Sequence, residues 1–313
     1  MKFTKSVVLA LKGCAMGMAD VVPGVSGGTI AFISGIYEEL IDSIRSVDAT
    51  ALRLLVHLRL GELWRHVNGR FLLPVLTGIA IAVFSLARLM TYLLEHHPIE
   101  IWSFFFGLIV ASALLVSKQI GRWDWRTAAA LAVGAAAAWW ITVATPTETP
   151  NDWWFVMLSG AVAICAMILP GISGAFILLL LGKYQYIMQA VGDLNIPVIA
   201  IFAVGAAAGI ISFSHLLSWL LKHWHDVTVA VLMGFMVGSL NKVWPWKETV
   251  ETYTDSHGVL QPLVERNIAP GHFEALYDKP SLLAEAVLLC AAGFLAIYGI
   301  ELLARIVLKK REE

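Results

Sequence analysis

The residues best suited to chemistry stand in a short phrase that the chain contains twice, as Pro23-Gly24-Val25-Ser26-Gly27 and as Pro170-Gly171-Ile172-Ser173-Gly174. Both copies lie inside long apolar stretches, where proline and glycine end one helix and let another begin. The new helix starts with unpaired backbone N–H groups and the positive end of its dipole. Glycine lets a ligand approach closely, and serine adds hydroxyl donors. The two breaks predict a site for an anion, phosphate in particular.

The predicted site extends a few residues beyond each phrase. The alternative is that each cluster only kinks a helix. Two matched copies favour a site, because breaks at corresponding positions of two halves point to the binding site of a transporter. The candidate phosphate-binding residues are Pro23, Gly24, Val25, Ser26, Gly27, Gly28, Thr29, Pro170, Gly171, Ile172, Ser173 and Gly174.

Ionisable side chains inside apolar stretches are the second group of candidates, because such residues are costly in a membrane and usually functional. Arg88 can bind phosphate through two parallel hydrogen bonds, and His215 binds it best when protonated. Alternatively, Arg88 extends to the membrane interface and His215 is a hydrogen-bonded core histidine. Asp20, Glu38 and Lys183 are candidates for ion coupling or gating, although Asp20 could instead cap a helix end and Lys183 could extend to the interface.

The composition places these residues in a membrane protein. Of the 313 residues 58% are hydrophobic and 14% are charged, whereas a soluble domain has about 45–50% apolar and about 25% charged residues. The three cysteines are scattered, and the chain has no nucleotide-binding loop, no metal-ligand spacing and no nucleophile beside an evident base. The sequence therefore predicts a polytopic membrane protein without cofactor, metal, catalytic residue or nucleic-acid partner.

The two phrases belong to a longer internal repeat. Residues 23–37 align without gaps on 170–184, an offset of 147, and seven of the 15 positions are identical. Residues 78–112 align on 205–239 at an offset of 127, which pairs Arg88 with His215. The difference of 20 residues indicates an insertion in the first half. It falls within 46–70, where apolar residues alternate with arginines as in an amphipathic surface helix.

Each unit is predicted to form a broken, re-entrant helical hairpin followed by transmembrane helices. If both hairpins re-enter, one side of the membrane has 16 Lys and Arg residues and the other has four, which agrees with the positive-inside rule. Three crossings then separate the units, so the hairpins enter from opposite sides and their tips meet near the midplane. The predicted arms are 6–20 and 27–44 in the first hairpin, and 153–169 and 175–191 in the second.

The predicted fold is an all-α polytopic membrane protein with inverted-topology repeats, six full spans and two re-entrant hairpins. It forms a single integral membrane domain with both termini in the cytoplasm. Its segments are a first repeat at 6–117 with the insertion 46–70, a linking helix at 126–145, a second, inverted repeat at 152–241, an extracytoplasmic loop at 242–280 and a C-terminal transmembrane helix at 281–304.

The motifs resemble those of a bacterial membrane family long labelled the 368 domain of unknown function. The resemblance covers nearly the whole chain except 46–70 and 250–280. It rests mainly on Ala19-Asp20-Val21-Val22-Pro23-Gly24-Val25-Ser26-Gly27-Gly28-Thr29-Ile30, Gly35-Ile36-Tyr37-Glu38 and Ala166-Met167-Ile168-Leu169-Pro170-Gly171-Ile172-Ser173-Gly174. Members of that family have been assigned as polyprenyl-phosphate transporters of the PopT type. The resemblance implies a protein of the bacterial cytoplasmic membrane that returns undecaprenyl phosphate, the lipid carrier of peptidoglycan and other envelope glycans, from the outer to the inner leaflet.

The expected mechanism is alternating access. The phosphate enters near Arg88, is held at the hairpin tips and leaves towards His215, while the polyprenyl tail stays among the membrane lipids. Proton or sodium coupling would use Asp20, His215 or Glu38.

Two other functions fit the same architecture. One is a transporter of small anions. The other is an undecaprenyl-pyrophosphate phosphatase, whose family also has inverted repeats and a Pro-Gly-X-Ser-Arg-Ser loop. In this chain Gly27 or Gly174 stands where that loop has arginine, and no counterpart of the phosphatase's Glu-Gly-X-Thr-Glu motif is present. A site without those groups is poorly equipped for hydrolysis, so the sequence favours a transporter.

Overall fold

The computed structural model describes residues 3–21, 27–144, 149–254 and 260–309, most of which are helical. The first half contains α1 (Phe3–Val21), α2 (Gly27–Ile33), α3 (Tyr37–Arg45), α4 (Ala49–Val56), α5 (Leu60–His66), α6 (Gly69–His96), α7 (Pro98–Ser117) and α8 (Trp125–Val143). The second half contains α9 (Trp153–Ile168), α10 (Gly174–Leu180), α11 (Tyr184–Gly192), α12 (Ile196–His223), α13 (His225–Ser239), β1 (Lys247–Thr254), β2 (Leu260–Asn267), α14 (Pro270–Tyr277) and α15 (Leu283–Lys309).

Three of the described helices, α7, α8 and α12, are long and apolar enough to cross a membrane. The number rises to five if each of two strongly bent pairs counts as one span. These pairs are α5 with the first part of α6, bent by 78°, and α10 with α11, bent by 112°. A mostly helical chain with several candidate membrane spans is thus confirmed, and six full spans stay a prediction.

The helices recur at the two offsets of the sequence repeat. α2 and α3 return as α10 and α11, 147 residues later, with the same lengths of 7 and 9 residues. α6 returns as α12, 127 residues later, and both are 28 residues long. Gly78 of α6 and Gly205 of α12 are equivalent, and a Cβ at either would collide with a backbone carbonyl, of Ala10 in α1 and of Met157 in α9. Equivalent residues therefore make equivalent helix contacts.

The outgoing arm of each hairpin is broken, which corrects the prediction of single arms at 27–44 and 175–191. Gly35 and Gly182 have φ angles of +70° and +61°, a left-handed conformation that suits glycine. In both arms the residue after the glycine donates its N–H five residues back, Ile36 to Ala31 O at 3.0 Å and Lys183 to Leu178 O at 2.8 Å. This Schellman geometry ends one helix and redirects the chain into the next. We call residues 34–36 the first elbow and residues 181–183 the second elbow.

The insertion 46–70 forms two short helices, α4 and α5, rather than the single helix that was expected. Leu58 between them has a φ of +55°, which no α-helix continues through. The amphipathic character is present, because seven large apolar side chains here are exposed: Val47, Leu52, Leu55, Val56, Leu58, Leu60 and Trp64.

Segment 242–280 is not a plain loop. It contains α14 and an antiparallel pair of strands, β1 and β2, with Lys247 opposite Asn267 and a register shift on either side of Glu251. The expectation of an all-α chain is therefore wrong at this point.

The chain divides into two compact units. The first comprises α1 to α5, most of α6 and α9 to α12, so it holds the described parts of both hairpins. The second comprises α7, α8, most of α13, the β-hairpin, α14 and α15, and its core includes Ile99, Trp246 and Ala286.

Candidate functional site

The second break lies between α9 and α10. The backbone leaves α9 at Leu169, with a ψ of 131°, and turns at Gly171, where the φ of +90° favours glycine. It becomes helical again at Gly174, where an added Cβ would lie 2.6 Å from the carbonyl oxygen of Ala163 in α9. The two arms of this hairpin are thus in backbone contact. Ser173 precedes α10 without capping it through its side chain.

The first break lies between α1 and α2, and its residues Pro23, Gly24, Val25 and Ser26 lie outside the described residues. Gly27, Gly28 and Thr29 form the first turn of α2.

The described residues include two hydrogen bonds between the two hairpins. Thr29 Oγ1 accepts from the backbone N–H of Gly171 at 2.9 Å, and Tyr37 donates its hydroxyl to the carbonyl of Ile168 at 3.1 Å. Thr29 is 1% exposed and Tyr37 is 3% exposed, so both bonds are buried. The two copies of the repeat therefore meet at their breaks. One backbone amide that we predicted to bind phosphate is occupied by a neutral hydroxyl.

Lys183, a gating candidate, is enclosed at the second elbow rather than extended to an interface, and it is 1% exposed. Its Nζ donates to the carbonyl of Thr149 at 2.6 Å and to Asn151 Oδ1 at 2.7 Å. The ring centroids of Phe155 and Tyr186 lie 5.5 Å and 5.9 Å from Nζ, close enough for attraction between the cation and the rings.

Lys12 occupies a comparable place at the first elbow. Its Nζ donates to the carbonyl of Ser34 at 2.6 Å, and the side chain is half-buried. Lys12 was not among the candidate residues predicted from the sequence. Its position inside an apolar helix is the signal that could have singled it out.

A network of charges joins α3 to α12. Asp42 accepts from the Ser218 hydroxyl at 2.6 Å and from Lys222 Nζ at 3.2 Å, and Arg45 donates to Ser218 Oγ at 3.1 Å. Glu38, a coupling candidate, lies beside this network, with Oε1 3.5 Å from Nε2 of His225. Glu38 therefore has a partner, His225, that is charged only when it is protonated.

His215 is exposed on α12, and its Nδ1 lies 2.8 Å from the carbonyl oxygen of Ile211, one turn earlier on the same helix. This contact leaves Nε2 as the ring atom directed away from its own backbone. The side chains of Arg88 and Asp20 lie outside the described set, so the predicted pairing of Arg88 with His215 at two ends of a path stays a prediction.

The second unit contains a buried charge cluster beneath its β-hairpin. Glu265 Oε2 lies 2.9 Å from Lys242 Nζ and 3.5 Å from Lys247 Nζ, and Lys247 Nζ lies 4.2 Å from the ring centroid of Trp102. Burial lowers the pKa of Lys247 to about 8. Burial also acts to raise the pKa of Glu265, but the two lysines outweigh it and hold that pKa below its usual value. The cluster fastens the hairpin to α7.

Comparison with known proteins gives a family for this arrangement. Residues 16–261 match the VCA0040-like family, described as undecaprenyl phosphate translocase-like. The chain belongs to this family. A polyprenyl-phosphate transporter of Vibrio cholerae serotype O1 is 47% identical over 291 residues, which cover 93% of this chain and 94% of that protein. A polyprenyl-phosphate transporter of Staphylococcus aureus is 34% identical over 253 residues, which cover 75% and 85%. No solved structure matches the chain.

Membership of the undecaprenyl phosphate translocase-like family confirms the resemblance that the two phrases predicted. The matched region contains both breaks, both elbows and the whole of α12. The names of the family and of the two relatives describe transporters rather than enzymes.

Proposed function

We propose that this chain is a polyprenyl-phosphate transporter that returns undecaprenyl phosphate from the outer to the cytoplasmic leaflet of the bacterial inner membrane, for reuse as a carrier of envelope glycans. The names of the family and of both relatives support the substrate class. The observation that carries the proposal is the hydrogen bond between Thr29 and Gly171, because it brings two glycine-rich breaks together. Backbone donors at such breaks recognise a phosphate group.

The same hydrogen bond suggests how the phosphate is received. A phosphate oxygen is a stronger acceptor than a neutral hydroxyl, so it takes over the N–H of Gly171 when the substrate arrives. The hydroxyl of Thr29 then turns and donates its own hydrogen to a second phosphate oxygen. Ser26, Ser173 and the other amides of the two breaks complete the proposed shell, while the polyprenyl tail remains in the membrane.

The ionisable candidates take roles along the path. Arg88 attracts the phosphate on one side of the breaks, and His215 receives it on the other. Glu38 with His225, and Asp20 at the end of α1, are the proposed places for proton or sodium coupling.

The proposed topology has six full spans and two re-entrant hairpins in inverted repeats, 6–117 with the insertion 46–70, and 152–241. The helix 126–145 links them, 242–280 is extracytoplasmic and 281–304 crosses last, so both termini are cytoplasmic. Asp152→Cys tests the inversion, because it should react with a membrane-impermeant thiol reagent on intact cells. Reaction only after permeabilisation contradicts the inverted arrangement.

A phosphatase is disfavoured by the geometry of the second break. The position at which the phosphatase loop has arginine is Gly174, and even a Cβ there would lie 2.6 Å from a backbone oxygen of α9. The chain has no room for that phosphate-clamping side chain without displacing α10.

The test is leaflet-resolved uptake of undecaprenyl phosphate by purified protein in lipid vesicles, with inorganic phosphate uptake and pyrophosphate hydrolysis measured in the same preparation. Movement of the lipid alone supports the proposal. Uptake of inorganic phosphate without lipid movement indicates a small-anion transporter, and phosphate release from the pyrophosphate lipid indicates an enzyme.

A further inference from the structure

Each elbow holds a lysine ammonium close to the carbonyl end of a short helix. At the first elbow, Lys12 Nζ binds the carbonyl of Ser34 directly. At the second elbow, Thr149 donates its hydroxyl to the carbonyl of Leu181, the position equivalent to Ser34, and offers its own carbonyl to Lys183 Nζ. The two lysines come from different positions of the repeat unit. They nevertheless each place a positive charge at an elbow, Lys12 directly on the Ser34 carbonyl and Lys183 one residue removed, through Thr149.

Neither ammonium forms an ion pair with a described carboxylate. Among the described residues, the acceptors around Lys183 are two neutral oxygens and that of Lys12 is one, with Glu39 acting on Lys12 only at longer range. Lys222 differs, because it is exposed and pairs with Asp42 at 3.2 Å. A buried charge that only neutral groups solvate keeps most of its attraction for an anion.

The position of the elbows relative to the breaks is also regular. α2 and α10 are each 7 residues long, so each elbow lies about 10 Å along the helix from its break. In inverted repeats these two displacements run in opposite directions. The resulting order is a cation, then the neutral breaks, then a second cation.

We propose that Lys12 and Lys183 bind the phosphate of the substrate at the two ends of its path, one at each elbow. This inference rests on the proposed transport of a polyprenyl phosphate. A permeating ion must be held well enough to enter and weakly enough to leave, which several moderate sites achieve better than one strong site. Lys183 exchanges its neutral oxygens for the phosphate, and Lys12 does the same at the other end.

The competing explanation is that Lys183 only fastens the second elbow to residues 149–151. Asn151→Asp separates the two explanations, because it places a carboxylate where the amide oxygen now lies, 2.7 Å from Nζ. If Lys183 only fastens the second elbow, the new ion pair strengthens that contact. If Lys183 binds the phosphate, the substitution weakens phosphate binding, because the new carboxylate compensates the charge of Lys183. Lys183→Gln and Lys12→Gln keep a hydrogen-bond donor and remove the charge, and Lys222→Gln is the control for loss of a lysine that already has a carboxylate.

The experiment uses the full chain in vesicles of neutral phospholipid. It measures the affinity for undecaprenyl phosphate and for the uncharged undecaprenol, together with the thermal midpoint of the unliganded protein. We expect Asn151→Asp, Lys183→Gln and Lys12→Gln each to weaken binding of the phosphate lipid by about 10-fold or more. This is the effect expected from losing one charge-assisted hydrogen bond. Binding of undecaprenol should not change, Asn151→Asp should not lower the thermal midpoint, and Lys222→Gln should bind as the wild type does.

Two results overturn the inference, and they are distinguishable. If the wild type neither binds nor moves undecaprenyl phosphate, the proposed function fails and this inference fails with it. If the wild type transports but Asn151→Asp binds the phosphate lipid with unchanged affinity, Lys183 is a structural fastening. The proposed role of Lys12 is refuted separately if Lys12→Gln binds the phosphate lipid as tightly as Lys222→Gln does.

Discussion

Thr29→Val tests the contact between the two hairpins most directly. Valine replaces the hydroxyl by a methyl group of similar size, so the packing around this buried position is largely retained. The backbone N–H of Gly171 then loses its acceptor in a buried position. An unsatisfied buried donor costs about 1–3 kcal/mol, and this is the expected loss in the free energy of unfolding.

The matched control is Thr29→Ser, which keeps the hydroxyl and removes a methyl group. Losing one buried methyl costs about 0.8 kcal/mol. Transport should separate the two variants further, since valine also lacks the hydroxyl that we expect to donate to the phosphate. One hydrogen bond to a charged group contributes about 1.5–3 kcal/mol, so Thr29→Val should bind undecaprenyl phosphate at least about 10-fold more weakly than Thr29→Ser.

Unfolding is followed in detergent for stability, and leaflet-resolved uptake in vesicles reports function. The reasoning is refuted if Thr29→Val is as stable as Thr29→Ser and moves the lipid at the wild-type rate. That outcome would mean that the Thr29–Gly171 bond contributes neither to the hairpin contact nor to phosphate binding.

Three further predictions concern the backbone, the helix packing and the β-hairpin. Because Lys247 has its pKa lowered by burial from 10.5 to about 8, the folded state binds fewer protons than the unfolded state between those values. The free energy of unfolding should therefore rise by roughly 1.4 kcal/mol per pH unit between pH 8 and pH 10.5, and Lys247→Met should abolish that rise in thermal unfolding measured at each pH. Gly35 has a φ of +70° and open space around it, so Gly35→Ala should lower the free energy of unfolding by about 1–2 kcal/mol through backbone strain alone. The control Gly61→Ala in α5 should instead raise the free energy of unfolding by about 0.5–1 kcal/mol. Equal effects of the two substitutions would contradict a strained backbone at the first elbow. Gly205→Leu should prevent accumulation of folded protein in membranes because of the contact with Met157, while Gly271→Leu, with nothing near it, should accumulate normally; equal yields contradict the close packing.

The parts of the fold that follow from the repeat could be predicted well. The two copies of a duplicated sequence begin and end their helices at matched positions. The offsets of 147 and 127 residues therefore relate the helices of the two copies as well as their identical residues. The two breaks are also in contact through Thr29 and Gly171, whereas the entry of the hairpins from opposite sides of the membrane stays a prediction.

The elbows were missed because an uninterrupted apolar stretch reads as one helix. Gly35 and Gly182 were visible as identical positions of the repeat, and a glycine followed by an apolar residue is typical of a left-handed helix end. The partners of Lys183 could not be predicted, because residues 149–151 approach it only through the folded path of α9 and α10. The strands were missed although β1 contains three threonines, one valine and one tyrosine, residues that favour strands.

The hydrogen bond between Thr29 and Gly171 depends on a side chain that differs between the two copies of the repeat. The residue that corresponds to Thr29 is Phe176, whose side chain has no oxygen that could accept a hydrogen bond. Two identical repeats that exchange conformations would make the two resulting states equal in energy. If the proposed alternating access exchanges the conformations of the two repeats, a bond of about 1 kcal/mol that only one of them can form would favour one state roughly fivefold in the empty protein.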